Sequence, residues 1–183
     1  WAKTERLQSS VPPEQLFIER CLQLLKPGGR MGIVLPDSIL GAPGLGYIRQ
    51  WLIRNTHVIA SIDLHVDTFQ PKNGTQTSIL MLQKKTQEEI AQEEKTGKMK
   101  DYNIFMAMVE RVGHDKRGNA LFKRDKYGNE ILVPEHTDII QIDETANGTK
   151  TAKTESKVKV IDDQTLMVAE TFHKWKIQEG ITW

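Results

Sequence analysis

The sequence predicts an α/β layered fold, on three observations. Helix-like and strand-like segments alternate between residues 11 and 82, the strand-like ones are short apolar runs bounded by Gly and Pro, and the last two follow each other with no helix between them. A parallel crossover needs about a dozen residues, usually including a helix, so that final pair is expected to be antiparallel. With 183 residues and 20.9 kDa, the chain is long enough for one domain or a domain with an appendage. Its 38% hydrophobic and 27% charged residues exclude wholesale disorder, and no apolar run approaches the ~20 residues of a membrane helix. Lys and Arg (25) balance Asp and Glu (24), so the net charge of +1 neither demands nor excludes nucleic acid. Cys21 is the single cysteine, which rules out an internal disulfide and a Cys-rich zinc site. The polar start carries no secretory signal, and opening at Trp1 rather than Met suggests a piece of something longer.

Residues 11–26 predict a helix, with Pro12 and Pro13 at its entry, Glu14 at the positive end of the dipole, and an apolar face of Phe17, Ile18, Cys21, Leu22 and Leu25. Pro27-Gly28-Gly29 stops it, and Arg30–Leu35 reads as a buried strand. Gly41–Gly46, GAPGLG, reads as a flexible loop before a second helix, Tyr47–Arg54, whose Ile48, Trp51 and Leu52 share a face. His57–Leu64 and Thr77–Leu82 are the paired strands, joined by a loop holding Phe69. The charge-dense run at 83–100 predicts an exposed helix or linker. Strand character returns at 102–112, a turn at 114–119, and a hairpin over 121–133 around Tyr127-Gly128-Asn129. Residues 144–157 are polar, low in complexity and expected to be mobile. The end predicts an amphipathic helix capped by Asp162 or Asp163, with Leu166, Ala169, Phe172 and Trp175 on one face and Gly180 past its end. No internal repeat is evident. The organisation expected is a domain portion at 1–85, a charged segment at 86–100, a β-rich extension at 101–143, a flexible segment at 144–161 and a terminal helix at 162–183.

Several residues are candidates for chemistry. GAPGLG lies where a nucleotide-binding turn belongs, and Asp63 is the acidic residue some twenty positions on, but the glycine order departs from G-x-G-x-x-G and Pro43 removes an amide donor. A connection lining a cleft is the favoured reading. Pro36 and Asp37 sit past the carboxyl end of a strand, where open α/β sheets bind ligands. Asp37 is suited to accept a bond from a substrate or to close a local turn. Phe69 either stacks on a planar ligand or folds onto the core. The five histidines share no metal-ligand spacing. Around the late turns, Lys116, Arg117, Lys123, Arg124 and Lys126 outnumber Asp115 and Asp125, which suits either a phosphate backbone or a solvated hairpin.

Together these stretches resemble the late part of the catalytic domain of adenine-specific DNA methyltransferases, above all the modification subunit of type I restriction–modification systems. The likeness spans 15–119 and is carried by Leu25–Arg30 (L-K-P-G-G-R), Val34-Leu35-Pro36, Ile48-Arg49, Phe69, Gly74-Thr75, Thr77–Leu80 and residues 102–119. It implies a Rossmann-like sheet ending in an antiparallel hairpin, S-adenosylmethionine as cofactor, double-stranded DNA as substrate, specificity and restriction subunits as partners, and a prokaryotic cytoplasmic location. It assigns the flipped base to a pocket formed by Phe69, Pro36 and Asp37, with Lys72 and Asn73 near the DNA backbone. The family's Gly-rich cofactor turn and its Asn-Pro-Pro-Phe type motif are absent, since Val11-Pro12-Pro13-Glu14 lacks both the amide and the aromatic. The chain alone is therefore expected to be inactive, to bind the cofactor weakly or not at all, and to need a missing N-terminal half. The other readings are a fragment of a small-molecule or RNA methyltransferase and a non-catalytic DNA-binding or scaffold module.

Overall fold

The computed structural model describes residues 10–143 and 148–181. They form two compact units, one built from residues up to Val112 together with those from Gln164 onward, the other from Gly113–Asp163.

The first unit opens with α1, Pro13–Leu24, with Pro at its first positions and Glu14 in its first turn. Of the expected face, Ile18 and Leu22 are buried and Cys21 and Leu25 half-buried, but Gln15 is buried beside them and Phe17 is 62% exposed. The reason is a polar partner distant in sequence: Tyr47 Oη donates to Gln15 Oε1 at 3.0 Å, so the helix can turn a glutamine inward. Lys84 Nζ donates to the carbonyls of Leu22 (2.9 Å) and Leu25 (2.7 Å), closing the negative end of the helix. Gly28, at φ +72°, makes the turn that follows, a conformation that costs an L side chain about 1–2 kcal/mol.

Strand β1 is Arg30–Pro36, followed by α2, Asp37–Gly41, a 3-10 turn at Pro43–Leu45, and α3, Gly46–Asn55. The GAPGLG stretch is thus a helical corner, not a flexible loop. Arg49 holds it by donating from Nη1 to Ile39 O (3.0 Å) and Ala42 O (2.9 Å). None of its glycines has positive φ.

Strands β2 (Thr56–Asp63), β3 (Thr77–Lys84) and β4 (Phe105–Met108) complete a sheet of order β1-β3-β2-β4. The expected antiparallel pair is present, and β3 runs antiparallel to β1 as well, while β4 lies parallel to β2. Period-two alternation on β3 feeds two cores. Leu80 and Leu82 join Ile18, Leu35, Ile39, Ile48 and Leu52, whereas Ile79 and Met81 pack on the cluster of Ala60, Ile62, Leu64, Phe105, Val109 and Val168.

Helix α4, Gln87–Thr96, has a capping box between Thr86 and Glu89. The Thr86 amide is the main cause that holds Glu89 below the usual carboxylate range, with His57 assisting against burial. Lys85, from the run expected to be exposed, is 1% exposed, and its Nζ meets Glu93 Oε2 at 2.7 Å and Ile53 O at 2.9 Å.

Helix α5, Thr165–Gln178, buries Val168, with Phe172 and Trp175 packed around Phe105 at ring separations of 5.3 and 5.5 Å. Leu166 is 69% exposed, and neither Asp162 nor Asp163 caps the helix. Gln164 occupies the cap position, and its Oε1 accepts from the amides of Glu110 (2.8 Å) and Arg111 (3.2 Å). Gly180 ends the helix at φ +66°, as expected.

The second unit holds two short hairpins, bridged at His114–Ala120 and Arg124–Glu130, and a two-stranded ladder of β5 (Leu132–Asp143) and β6 (Gly148–Lys159). Residues 148–157, expected to be mobile, are therefore strand. Their many β-branched threonines suit a pleated ladder better than their low complexity suggests. The remainder of that polar segment, 144–147, lies outside the described residues.

Truncating Glu93 leaves the Lys85 ammonium buried without its counter-charge. Glu93→Ala is expected to cost roughly 3 kcal/mol in urea-induced unfolding, and Lys85→Met clearly less. A near-zero effect of Glu93→Ala would contradict the pairing.

Candidate functional site

The residues singled out from sequence gather at the carboxyl ends of β1 and β2. Pro36 closes β1, and Asp37 begins α2 with its amide bonded to Gln76 O at 3.1 Å. Asp37 Oδ1 accepts from Ser78 Oγ at 2.8 Å. Of the two roles left open for Asp37, a substrate contact or a local turn, the turn is replaced by a link to the neighbouring strand. Ser78 stands opposite Leu35 on one side and Asp63 on the other. Gln76 Nε2 donates to Asp63 Oδ1 (3.0 Å) and Leu64 O (2.8 Å). A polar row of Asp37, Ser78, Gln76 and Asp63 therefore crosses the end of the sheet. Ser78 and Gln76 were not singled out as site residues, although polar residues opening an otherwise apolar strand were the available signal.

The loop from His65 to Gln76 rises from this end. It is a succession of tight turns: His65 O accepts from Thr68 N at 2.9 Å and from its hydroxyl at 2.6 Å, and Phe69 O accepts from Asn73 N at 3.0 Å. Phe69 is 42% exposed and belongs to neither apolar cluster, so it does not fold back onto the core. Lys72 and Asn73 are exposed, and Asn73 Oδ1 accepts from Thr75 N at 2.9 Å. Thr77 Oγ1, beside the polar row, is buried with no hydrogen-bond partner among the described residues. Such a hydroxyl is a net cost unless something binds it.

Lys116, Arg117, Lys123 and Arg124 lie in the second unit and are exposed. Asp115 Oδ1 accepts from the amides of Arg117 (2.8 Å) and Asn119 (2.9 Å), and Asp125 Oδ1 from those of Tyr127 (2.8 Å) and Asn129 (2.9 Å). Both carboxyls are held below the usual range. The Asn119 side chain is the main cause for Asp115, and the Asn129 backbone amide is the main cause for Asp125.

A polar, open concavity of about 640 Å³, lined among others by His57, Glu89, Lys100 and Tyr102, lies at the other end of β2. It shares no residue with the site. Among the described residues no group of His, Cys, Asp or Glu is arranged to hold a metal, and no helix is long and apolar enough to cross a membrane.

The N-6 DNA methylase family matches residues 2–126, well over half of the chain. The chain belongs to that family. A curated relative, the ubiquinone biosynthesis O-methyltransferase of Chelativorans sp. (strain BNC1), is 45% identical over 47 residues, covering 23% of this chain and 19% of the relative. Similar solved structures include a putative class I S-adenosylmethionine-dependent methyltransferase from Listeria monocytogenes, at 22% identity and TM-score 0.44, covering 56% of this chain and 28% of that one. The type I restriction enzyme EcoKI M protein matches at 29% identity and TM-score 0.38, over 42% of this chain and 16% of that one. A modification subunit of a putative type I restriction enzyme from Vibrio vulnificus YJ016 matches at 16% identity and TM-score 0.38, over 63% and 22%. The chain thus spans less than a third of the length of each of these relatives.

Residues 41–46 of this N-6 methylase chain do not form a glycine-rich cradle for S-adenosylmethionine. The glycines at 41–46 lie in helical turns, and Pro43 there has no amide to offer.

Two measurements check the local chemistry. Thr77→Val is expected to leave stability unchanged or raise it by up to about 1 kcal/mol, since it removes a buried hydroxyl that makes no bond. A loss of that size would show that the hydroxyl is satisfied. Because the folded values of Asp115 and Asp125 are depressed, what their turns contribute is present above the unfolded values and lost as pH falls through the folded ones. The amide resonances of Gly118 and Gly128 are expected to shift together, with midpoints below the ordinary Asp range. Ordinary midpoints would contradict the carboxyl-centred turns.

Proposed function

We propose that this chain forms the target-base side of a DNA methyltransferase acting on the exocyclic amino group of adenine, in a modification subunit of the type I restriction kind. The observation that carries the reading is the family match over residues 2–126 combined with an exposed Phe69 in the loop that ends at Gln76, whose carbonyl accepts from the Asp37 amide. Chemistry on a base inside duplex DNA requires the base to leave the stack. An aromatic side chain outside the core offers the extruded ring a stacking face, worth about 1–3 kcal/mol. Pro36 and Asp37 form a wall of the pocket, with Asp37 oriented by Ser78, and Lys72 and Asn73 meet the sugar–phosphate backbone of the target strand.

The acceptors that engage the amino nitrogen belong to an Asn-Pro-Pro-Phe type motif, which this sequence lacks, so the chain alone is inactive. In the complete enzyme S-adenosylmethionine supplies the methyl group. The rest of the polypeptide continues the sheet at β1, whose outer edge pairs with no strand among the described residues. An open edge of this kind calls for a partner. Specificity and restriction subunits complete the assembly in the cytoplasm of a prokaryotic cell, and the specificity subunit selects the sequence methylated.

Phe69→Ala in the complete enzyme is expected to lower methyl transfer by roughly tenfold or more, in keeping with the loss of one base–aromatic stack, while cofactor affinity stays near normal. Phe69→Tyr restores most of the rate. Unchanged turnover in Phe69→Ala would remove this residue from the pocket.

A further inference from the structure

The two hairpins of the second unit are copies of one another at a spacing of ten residues. Asp-Lys-Arg-Gly-Asn at 115–119 and Asp-Lys-Tyr-Gly-Asn at 125–129 align position by position. In each, the aspartate Oδ1 accepts from the amides two and four residues on, and the asparagine side chain returns to Oδ2, at 3.0 Å in the first turn and 3.3 Å in the second. In each, the aspartate amide donates to the asparagine carbonyl, at 2.9 and 2.8 Å, and the glycine amide to the aspartate carbonyl, at 2.9 and 3.0 Å. Both glycines take positive φ, +84° and +88°. The anchoring repeats too: Gly113 and Leu121 bond Asp162, and ten residues on Lys123 and Ile131 bond Val160. The ten-residue repeat is present in the sequence and corrects the reading that no internal repeat is evident.

The repetition has an electrostatic consequence. Each aspartate spends its oxygens on amides inside its own turn, whereas Lys116, Arg117 and Lys126 stand exposed at the tips, with Lys123 and Arg124 exposed between them. Tyr127 is 76% exposed, with Lys126 Nζ 4.9 Å from its ring centroid. The cations therefore stand exposed to solvent, while the two aspartates, which keep their charge, are held by hydrogen bonds within their own turns. The anchors, Val160 and Asp162, are two residues apart, about 7 Å along an extended strand. Phosphates recur every ~3.4 Å of axis along each DNA strand, a spacing of the same order as that between the two anchors.

We propose that the duplicated turns are a two-point clamp on the phosphate backbone of duplex DNA, outside the base pocket. This rests on the reading that duplex DNA is the substrate. The contact is to phosphates, so it adds affinity and salt dependence but no sequence preference.

The test is DNA affinity of the full-length polypeptide as a function of salt, measured with Arg117→Gln/Lys126→Gln, one cation from each turn, and, for equal loss of charge elsewhere, with Lys95→Gln/Lys98→Gln. Methyl transfer at saturating DNA and the Gly118 and Gly128 amide resonances are followed in parallel. The turn variant is expected to keep those resonances and its methyl transfer at saturation, and to bind more weakly on every sequence tried. The slope of log K against log salt should fall by about 2, while the control variant keeps the parent slope. An unchanged slope with methylation intact would overturn the clamp and leave the methyltransferase reading standing. Equal losses in both variants would overturn it as a general charge effect. A parent that neither binds nor methylates duplex DNA would overturn both, and the outward cations would then point to an acidic protein surface.

Discussion

Strand β3 is the constraint on which the first unit depends. By running antiparallel between β1 and β2, it turns three separate segments into one sheet. Its alternate residues supply both cores, Leu80 and Leu82 to one and Ile79 and Met81 to the other. Its two ends do different work. At one end Lys84 closes α1 and fixes the turn into β1. At the other, Ser78 holds Asp37, and the Thr77 carbonyl receives Leu64 N at 3.0 Å, which fixes where the Phe69 loop begins and ends.

The features legible in the sequence were those set by local pattern. The antiparallel pair followed from a connection with no helix, the break after α1 from Pro27-Gly28-Gly29, and the face of α3 from the spacing of Ile48, Trp51 and Leu52. What was not legible was set by polar groups whose partners are far along the chain. Gln15 is buried because Tyr47 reaches it, and the GAPGLG stretch is helical because Arg49 collects its carbonyls. Lys85 is buried because Glu93 folds back over it in a run whose charge density reads as exposed surface. α5 buries Val168 and not Leu166 because Phe105, Phe172 and Trp175 form one cluster. Hydrophobic periodicity contains none of these pairings.

The candidate site divides in the same way. Pro36 and Asp37 could be named from sequence because strand ends of α/β folds are where ligands bind, whereas the stacking role expected of Phe69 came from the family resemblance. The polar row linking Asp37, Ser78, Gln76 and Asp63 required the strand order, since it joins Asp63 of β2 to Asp37, which directly follows β1, across β3. That row is hydrogen-bonded from end to end, and Phe69, in the loop that leads to it, is exposed.

The account is tested most directly by placing 5-iodouracil at the methylated position of a duplex, irradiating it in complex with the full-length enzyme and mapping the adducted peptide. The account predicts a cross-link to Phe69. A cross-link confined to another region of the polypeptide, with Phe69 unmodified, would contradict it.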